Sequence, residues 1–474
     1  MNPRSHPLGG RTAQEIVGRT GGVRVDGSGF LCVEDRRAAE LAEEFGTPLY
    51  ITSENQIRAN ARRMRDAFEK RWSKVTLLFA TKANYSLAVR RILVEEGVGG
   101  DCFGAGELRL SLLAGVAPEQ LVMNGSNKQP DEVRAAVEAG VTLNVDDASE
   151  LELIIRVAEE VGRAADVCLR VLPFSYADAA TLPDDLREIA ADRSHDKWGM
   201  DRLTLLEVVP RALAHESVRL RGLHLHVSRL RATTEHFELA ARLIAGCIAE
   251  LRDRHGWEPE VLDFGGGYAH ERDPESGEPA GSHPVATIEE YAETITSTLR
   301  SALAEHHLSE PHLLLEPGRR LVSNATLLLT RVGVVKRLPT GTAVWVNVDA
   351  STNHCPRAPL QNYYYEIVHA TEGTTAPALT ANVVGPTCVL DVLGEARSLP
   401  AVQAGDLLAI LDVGGYAEAL SSQFNMVPRP ANVLVTGGSA EVIRRRETID
   451  DILATQVLPI RFAWGGNQDQ RKAV

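Results

Sequence analysis

The residues of this sequence most able to do chemistry follow short apolar runs. They are Lys82, His226, the triplet Gly265, Gly266 and Gly267, and Glu316. A lysine that emerges from an apolar run into a partly desolvated pocket can become neutral and form a Schiff base with a carbonyl compound. Three consecutive glycines expose backbone N–H groups that can bind a phosphate. The sequence therefore combines a candidate covalent nucleophile with a candidate anion site.

Taken singly, each of these features has an ordinary explanation. A lysine after a strand commonly extends to solvent, and a glycine triplet commonly forms a tight turn. His224 and His226 lie on one face of an alternating run and could bind a metal, stack on a flat ring or be polar core residues. Metal is disfavoured because no carboxylate or third histidine has suitable spacing. A buried Glu316 needs a cationic partner, which a protonated ring nitrogen or Arg319 would supply.

The elements that must position these residues form a repeating pattern. Short runs rich in Val, Leu and Ile alternate with amphipathic segments, which is typical of βα units around a parallel sheet. Eight such runs occur, at residues 75–80, 101–103, 121–124, 142–145, 167–172, 220–227, 261–264 and 313–315. Eight units over about 270 residues favour a (β/α)8 TIM barrel, whose strand ends would bring the polar residues to one mouth. An open doubly wound sheet is the alternative, but the motif G-x-G-x-x-G is missing after the first run.

The pattern changes after about residue 322. Runs that favour strands are separated by turn residues, so a second and mainly antiparallel β domain is expected. The predicted organisation is a flexible lead-in over residues 1–24, a barrel over 48–321, and a β domain made of 25–47 and 322–474. The run at residues 30–33 is expected to give the β domain a strand.

Composition excludes several classes of protein. The chain of 474 residues has 50 Lys plus Arg against 64 Asp plus Glu, a net charge of −14, which argues against a nucleic-acid or membrane partner. No stretch approaches the ~18 apolar residues of a bilayer span, and the first residues lack the apolar core of a signal peptide. Six cysteines without CxxC spacing favour reduced thiols over disulfides or a metal site. A cytoplasmic protein without a metal is expected.

Together, the motifs resemble those of the pyridoxal-phosphate-dependent decarboxylases with an alanine-racemase-like barrel, diaminopimelate decarboxylase above all and then the ornithine and arginine decarboxylases. The resemblance covers about residues 41 to 435. The matching motifs, in the family's order, are FATKAN at 79–84, GEL at 106–108, GLHLH at 222–226, LDFGGG at 262–267, EPGR at 316–319, GPTC at 385–388 and DVGGY at 412–416.

The resemblance implies pyridoxal 5'-phosphate as the cofactor and a role for each matching residue. Lys82 would carry the cofactor as a Schiff base, with Asp101 close to it. His226 would stack on the pyridine ring, and Glu316 would pair with the ring nitrogen. The residues that would hold the phosphate are Gly265, Gly266, Gly267 and Tyr416.

The resemblance also implies a homodimer with shared active sites. Cys388, reaching in from a second subunit, would donate a proton after carbon dioxide leaves, and Lys197 would belong to the active-site loop. Because Glu316 keeps the pyridine nitrogen protonated, the ring accepts the electron pair of the broken bond well, so decarboxylation is favoured over racemisation.

Three departures from the family's pattern concern the pocket. Arg229 stands where the family has a phosphate-binding serine, and Gln361 stands where it has a substrate-contacting tyrosine. Val389 replaces a glutamate that in diaminopimelate decarboxylase contacts the distal end of the substrate. The loss of an acid and the gain of an arginine favour a negatively charged substrate tail.

The sequence thus predicts α-decarboxylation of a carboxylate-tailed or modified amino acid in specialised metabolism, either free or tethered to a carrier protein. The alternatives are a meso-diaminopimelate decarboxylase of lysine biosynthesis, and an amino-acid racemase, an aldolase or a non-catalytic homologue on the same fold. Arg229 would bind either the cofactor phosphate or the substrate. The other residues expected at the substrate are Arg319, Arg357, Gln361, Val389 and Tyr416.

Overall fold

A computed structural model describes residues 10–18, 22–177, 182, 184, 187, 197–227, 233–270, 272–273, 282, 284–338 and 344–459. The chain divides into two compact units, which are considered separately. The barrel unit comprises residues 54–325 and 414–419. The sheet unit comprises the chain before residue 54, residues 326–413 and the chain from residue 420 onward. Within the described residues, no helix has the length and apolar character needed to span a membrane.

The strands of the described chain, in order, are β1 (Val23–Val25), β2 (Leu31–Val33), β3 (Arg36–Arg37), β4 (Leu49–Ser53), β5 (Val75–Ala80), β6 (Gly99–Cys102), β7 (Leu121–Met123), β8 (Thr142–Val145), β9 (Ala165–Arg170), β10 (Val218–His224), β11 (Val261–Asp263), β12 (His312–Leu315), β13 (Thr326–Arg337), β14 (Val344–Val348), β15 (Ile367–His369), β16 (Leu379–Val384), β17 (Val392–Leu399), β18 (Leu407–Ile410), β19 (Ala431–Thr436) and β20 (Ser439–Arg444). Its α-helices are α1 (Ala13–Val17), α2 (Ala38–Phe45), α3 (Glu54–Glu69), α4 (Leu87–Glu95), α5 (Ala105–Leu113), α6 (Pro130–Ala139), α7 (Ala148–Val161), α8 (Arg202–Ala214), α9 (Glu235–His255), α10 (Ile288–Glu305), α11 (Arg319–Val322), α12 (Arg357–Gln361) and α13 (Ile449–Leu453).

The barrel unit contains a closed barrel with the strand order β10-β11-β12-β5-β6-β7-β8-β9. Every neighbouring pair is parallel. The strands are short and mostly buried, as apolar runs enclosed by helices must be. This closed barrel confirms the architecture predicted from the eight runs.

Local sequence signals set the ends of the barrel helices. Helix α10 begins with a capping box in which Thr287 and Glu290 satisfy each other's backbone N–H groups. Helix α6 has Pro130 in its first turn and ends at Gly140 in the left-handed conformation. Helix α9 buries residues at a spacing of three and four, including Phe237, Ile244 and Leu251. These helices can therefore cover the strands and fix where each strand ends.

The sheet unit is mainly antiparallel, as predicted. Its large sheet has the order β17-β16-β14-β13-β4-β19-β20, and β18 pairs with both β13 and β15. The twelve-residue β13 runs antiparallel to β4, β14 and β18. Buried aliphatic side chains from these strands, such as Ile51, Leu329 and Val433, form a core of the unit.

The unit boundaries differ from those expected at two places, and a third run lies in the sheet unit but pairs outside its large sheet. Strand β4 lies inside the range 48–321 expected for the barrel, but it pairs with β13 and β19 of the sheet unit. All five residues of β4 are buried, so its pattern resembles that of a barrel strand. Residues 414–419 belong to the barrel unit although they fall within 322–474. The run at 30–33 contributes β2 to a separate sheet with β1 and β3.

Candidate active site

Polar side chains gather where the barrel strands end. The lysine follows β5 directly, and the carboxylates belong to β6, β11 and the residue after β12. A cavity of about 230 Å3 opens there. Its lining residues are Lys82, Phe103, Asn124, Arg170, Trp198, His224, His226 and Glu316.

Lys82 is paired with a buried carboxylate. Its Nζ donates to Asp101 Oδ2 at 3.0 Å, because neighbouring β5 and β6 place Ala80 opposite Asp101. The same amine lies 4.3 Å from the ring centroid of Phe103. Burial alone would lower the pKa of Lys82, but the charges of Asp101, Tyr416 and Glu316 outweigh it and raise the pKa. The amine is therefore protonated in this arrangement, whereas burial alone had suggested a neutral amine.

Asn124 joins two carboxylates of the cavity. Its Nδ2 donates to Asp101 Oδ1 and to Glu316 Oε1, both at 2.7 Å. Asn144 Nδ2 donates in turn to Asn124 Oδ1 at 3.1 Å, which fixes the orientation of the amide. Asn124 stood at the end of the predicted run 121–124, but it was not among the predicted site residues. Its position after a barrel strand was the signal that could have identified it.

Glu316 is held as a carboxylate although it is almost fully buried. Burial would raise its pKa, but the charges of His224 and Lys82 and a hydrogen bond with His224 hold the pKa below its ordinary value. His224 Nε2 lies 3.4 Å from Glu316 Oε2. Burial and the charge of Glu316 raise the pKa of neighbouring Asp263 well above its ordinary value. The pair therefore consists of one ionised and one neutral acid.

The same three side chains could coordinate a cation. One potential ligand atom each of His224, Asp263 and Glu316 lies within 4.8 Å of the others. His224 Nδ1 and Asp263 Oδ2 are buried without a hydrogen-bond partner. Ionised Glu316 gives this cluster a negative charge that a cation or a hydrogen-bond donor could meet.

His226 and the glycine triplet are bonded to each other. Gly266 N–H donates to His226 Nδ1 at 3.2 Å, and Gly265 N–H donates to Asp263 Oδ1 at 2.9 Å. A Cβ on Gly266 would lie 2.5 Å from the carbonyl oxygen of Glu316, so no side chain fits there. Burial, followed by the charges of Lys82 and Arg170, lowers the pKa of His226, so its ring is neutral. Two N–H groups of the predicted anion site thus have partners within the chain.

Tyr416 lies beside the loop that carries Lys82. Its backbone N–H donates to Ala83 O at 2.8 Å, and a Cβ on Gly318 would come within 3.4 Å of its hydroxyl. Arg319, which follows Gly318, is buried and pairs through Nε with Asp273 Oδ2 at 3.1 Å. The barrel unit therefore brings Tyr416 close to the EPGR turn, while Arg319 is bound to an acid of the chain.

The remaining predicted residues lie elsewhere. Arg229 falls outside the described residues. Arg357 is only 1% exposed, donates through Nε to Gln361 Oε1 at 2.8 Å and stacks 3.7 Å from the ring centroid of Tyr363. Cys388 is the one exposed thiol among the six cysteines, and Val389 next to it is half exposed. Arg357, Gln361, Cys388 and Val389 belong to the sheet unit.

The cavity also contains aromatic and cationic residues that the sequence analysis did not identify. Phe103, Trp198 and Arg170 line it, and the Arg170 guanidinium lies 5.5 Å from the Trp198 ring centroid. Lys197 Nζ, expected in an active-site loop, lies 4.5 Å from the same ring. Phe103 and Trp198 each follow a predicted site residue closely in sequence. That proximity was the available signal.

Comparison with known proteins decides the family. Residues 54–323 match the model of the family described as pyridoxal-dependent decarboxylase, pyridoxal binding domain. The chain belongs to this family. It is 35% identical over 443 residues to the diaminopimelate decarboxylase of Methanothermobacter thermautotrophicus, covering 93% of this chain and 98% of that protein. It is also 35% identical to the enzyme of Archaeoglobus fulgidus, covering 91% and 98%.

Solved structures of these decarboxylases share the fold. The diaminopimelate decarboxylase of M. jannaschii, in co-complex with L-lysine, has a TM-score of 0.85 and 31% identity, with 93% of this chain and 99% of that chain covered. The same enzyme in another crystal structure has a TM-score of 0.85 and 30% identity, with 93% and 98% covered. The chain is therefore a pyridoxal-phosphate-dependent amino-acid decarboxylase.

The cavity residues fit this cofactor. Lys82 would supply an amine for the aldehyde, the neutral ring of His226 would offer an aromatic face, and ionised Glu316 would hold a protonated ring nitrogen. When bound, pyridoxal phosphate supplies an electron sink for the pair released when a bond at the α-carbon breaks. Asp101, whose pKa burial and the charge of Glu316 raise, can take the proton of Lys82.

Proposed function

We propose that this decarboxylase removes one α-carboxylate of meso-diaminopimelate to form lysine. The observation that carries the proposal is the similarity to diaminopimelate decarboxylases at 31–35% identity over at least 90% of the chain. The barrel mouth supports it with the lysine, carboxylates and histidine that the chemistry needs. The similarity favours this substrate over the carboxylate-tailed amino acid of specialised metabolism first expected from the pocket residues.

The residues of the chain divide the proposed reaction between them. Lys82 Nζ would give its proton to Asp101 Oδ2, because only the neutral amine could hold the aldehyde of the cofactor. Glu316 would stay ionised and hold the ring nitrogen of the cofactor in its protonated form. The neutral ring of His226 would stack on the cofactor. Cys388 returns a proton to the carbon that lost carbon dioxide.

We also propose that the enzyme is a homodimer in which Cys388 serves the barrel mouth of the partner subunit. Cys388 is exposed in the single chain, where a thiol used in catalysis must still become enclosed. The neighbouring Val389 and Leu390 are 50% and 66% exposed. Cys388 N–H donates to Asn425 Oδ1, and the residues on either side of Asn425, Phe424 and Met426, are exposed as well. An exposed apolar surface of this kind is typical of a protein interface.

Val389, which stands where the family has a glutamate, favours a second substrate class, amino acids with a terminal carboxylate. The glutamate that contacts the distal end of the substrate in diaminopimelate decarboxylase is absent, so a distal ammonium loses a partner. If the substrate instead carries a terminal carboxylate, Val389→Glu will lower turnover of acidic substrates by charge repulsion, by about tenfold. Val389→Gln is the matched uncharged control. Unchanged turnover of acidic substrates by Val389→Glu counts against this candidate.

A mixed panel of substrates tests the proposal directly. Purified protein with pyridoxal phosphate is incubated with meso-diaminopimelate, lysine, ornithine, arginine, aspartate, 3-methylaspartate and glutamate, including both enantiomers where they exist. Mass spectrometry identifies the member that loses carbon dioxide. Loss from meso-diaminopimelate is the expected result. Loss from an acidic member alone refutes the proposal and supports the second substrate class.

A further inference from the structure

The loop that carries Cys388 has an exposed tip and one buried acid. Residues 385–391 connect β16 to β17. Val389 and Leu390 at the tip are at least half exposed, whereas Asp391 is only 3% exposed. A buried carboxylate needs hydrogen-bond donors, and their arrangement determines what the acid holds in place.

Asp391 receives hydrogen bonds from two separate segments. Its Oδ1 accepts from Ser351 Oγ at 3.0 Å and from both the backbone N–H and the Oγ1 of Thr352 at 2.6 Å. Its Oδ2 accepts from the backbone N–H of Thr387 at 2.9 Å and from Thr387 Oγ1 at 2.7 Å. The carboxylate thus ties the start of its own loop to the segment at residues 351–352.

The backbone around Asp391 is adapted to this contact. Asp391 has a φ of +48°, a left-handed conformation that residues with side chains rarely adopt. Gly385 N–H donates to Asp391 O at 2.9 Å. A Cβ on Gly385 would lie 2.3 Å from Asp391 Oδ2 and 2.6 Å from Ala350 O. Only glycine at residue 385 lets the acid pack this closely, so the loop is built around the carboxylate.

The tip of the loop is held from the other side. Cys388 N–H donates to Asn425 Oδ1 at 3.1 Å. Asn353 Nδ2 donates to Phe424 O at 2.8 Å. The segment at residues 351–353 therefore supports both the acid at the base of the loop and the turn that binds the backbone of Cys388.

We propose that Asp391 is a positioning residue that fixes the Cys388 thiol for proton delivery. The proposal rests on the proposed role of Cys388. In that step the bond between the α-carbon and its carboxylate breaks and carbon dioxide leaves. The S–H bond of Cys388 then breaks, and its proton and the electron pair of the broken C–C bond form a new C–H bond. The thiolate regains a proton from water. Asp391 does not touch the substrate; it restricts where the thiol can be.

The test is Asp391→Asn assayed in D2O with the panel member that the wild type decarboxylates. A fixed donor delivers deuterium to one face, so the wild type forms the new C–D bond in a single configuration. Asp391→Asn is expected to lower kcat roughly 10- to 100-fold, to leave KM within about twofold, and to give mixed configurations at that carbon. Enantiomer-resolved NMR of the derivatised product measures the configuration.

A matched variant in the same unit controls for general damage. Asp406 accepts the backbone N–H of Gln403 at 2.8 Å and pairs with His369 at 3.3 Å. Asp406→Asn should keep a single configuration and a kcat within about twofold. Thr387→Val removes one donor to Asp391 with little change of shape. It should shift the configuration in the same direction as Asp391→Asn but less, and it serves if Asp391→Asn does not fold.

Four results overturn the proposal. The first is that Asp391→Asn keeps the wild-type kcat and forms the new C–D bond in a single configuration. If Asp391→Asn does not fold, the same result in Thr387→Val overturns the proposal. The second is that Asp391→Asn has a lower kcat but still forms a single configuration, because this result would mean that Asp391 has only a structural role. If Cys388→Ser keeps wild-type rate and configuration, the proton-donor role itself fails and this proposal fails with it. Amide exchange of residues 385–391 needs no turnover: faster exchange in Asp391→Asn supports the clamp, and unchanged exchange overturns it.

Discussion

The barrel mouth and the Cys388 loop hold reactive groups in different ways. Lys82 and Glu316 sit at the ends of neighbouring parallel strands, and hydrogen bonds between those strands fix their backbone. Cys388 sits on a loop, where hydrogen bonds to the side chain of Asp391 join Thr387 of the loop to Thr352 outside it. Strand periodicity therefore determines the first site, whereas the second depends on side-chain hydrogen bonds. The two sites should respond differently to substitution.

This difference also explains how far the sequence could be interpreted. The barrel and the positions of Lys82 and Glu316 were predictable because apolar runs repeat and each is followed by a polar residue. The hydrogen bond between Asn124 and Glu316 was not predictable, because the two residues are 192 positions apart in the sequence. Three of the five hydrogen bonds to the Asp391 carboxylate come from Ser351 and Thr352, which are 40 and 39 residues away in sequence. Sequence periodicity contains no information about such pairs.

Two further differences between the sequence expectations and the structure arise from packing. The five buried residues of β4 have no alternation to show which sheet they join, so the sequence placed them in the barrel range. The protonated state of Lys82 depends on the carboxylate that the neighbouring strand brings to 3.0 Å. Burial, which can be expected from an apolar run, predicts the opposite direction for the pKa of that lysine.

The largest effect is expected for Lys82→Ala. Loss of the covalent attachment should lower kcat/KM by at least about a thousandfold and abolish the visible absorbance gained on adding pyridoxal phosphate. Lys70→Ala, at an exposed position of the same unit, is the control and should behave like the wild type. Retained absorbance in Lys82→Ala would show that another amine holds the cofactor, and the role of the barrel mouth would need revision.

A smaller loss is expected for Glu316→Gln. The amide is neutral and cannot stabilise a protonated ring nitrogen by charge, so kcat should fall about 100-fold. Glu366→Gln controls for loss of a buried carboxylate, because Glu366 is 7% exposed and pairs with Arg11 at 2.9 Å in the sheet unit. Equal losses in both variants would contradict a specific role for Glu316.

Asn124→Asp should lower kcat/KM by about tenfold. The substitution removes the amide that donates to both Asp101 and Glu316 and puts a third acid in its place. Like charges at this distance raise the pKa values of all three acids. The loss should be largest at high pH, where all three acids tend to ionise, and a pH profile of kcat/KM measures this. Asn55→Asp, at an exposed position, is the control. A uniform loss at all pH values would argue against charge repulsion.

The smallest effect is expected for the stability of the Asp391→Asn variant. Burial raises the pKa of Asp391, but hydrogen bonds from Thr352 and Thr387 outweigh it and hold the pKa below the ordinary value of 3.8. Such a group stabilises the fold above its unfolded pKa and loses this contribution as pH falls through the folded pKa. Asp391→Asn should therefore cost about 1–3 kcal/mol of unfolding free energy at neutral pH. Denaturant unfolding should show this cost shrinking below pH 3.8; an unchanged cost there would contradict it.

The division of chemistry between barrel mouth and Cys388 loop can be tested by mixing two inactive variants. Lys82→Ala and Cys388→Ala are combined under conditions in which native mass spectrometry verifies subunit exchange. If the loop of one subunit serves the barrel of the other, half of the dimers are mixed and each has one intact site. Activity should then return to about a quarter of the wild-type value. No recovery, despite verified exchange, would contradict the shared site.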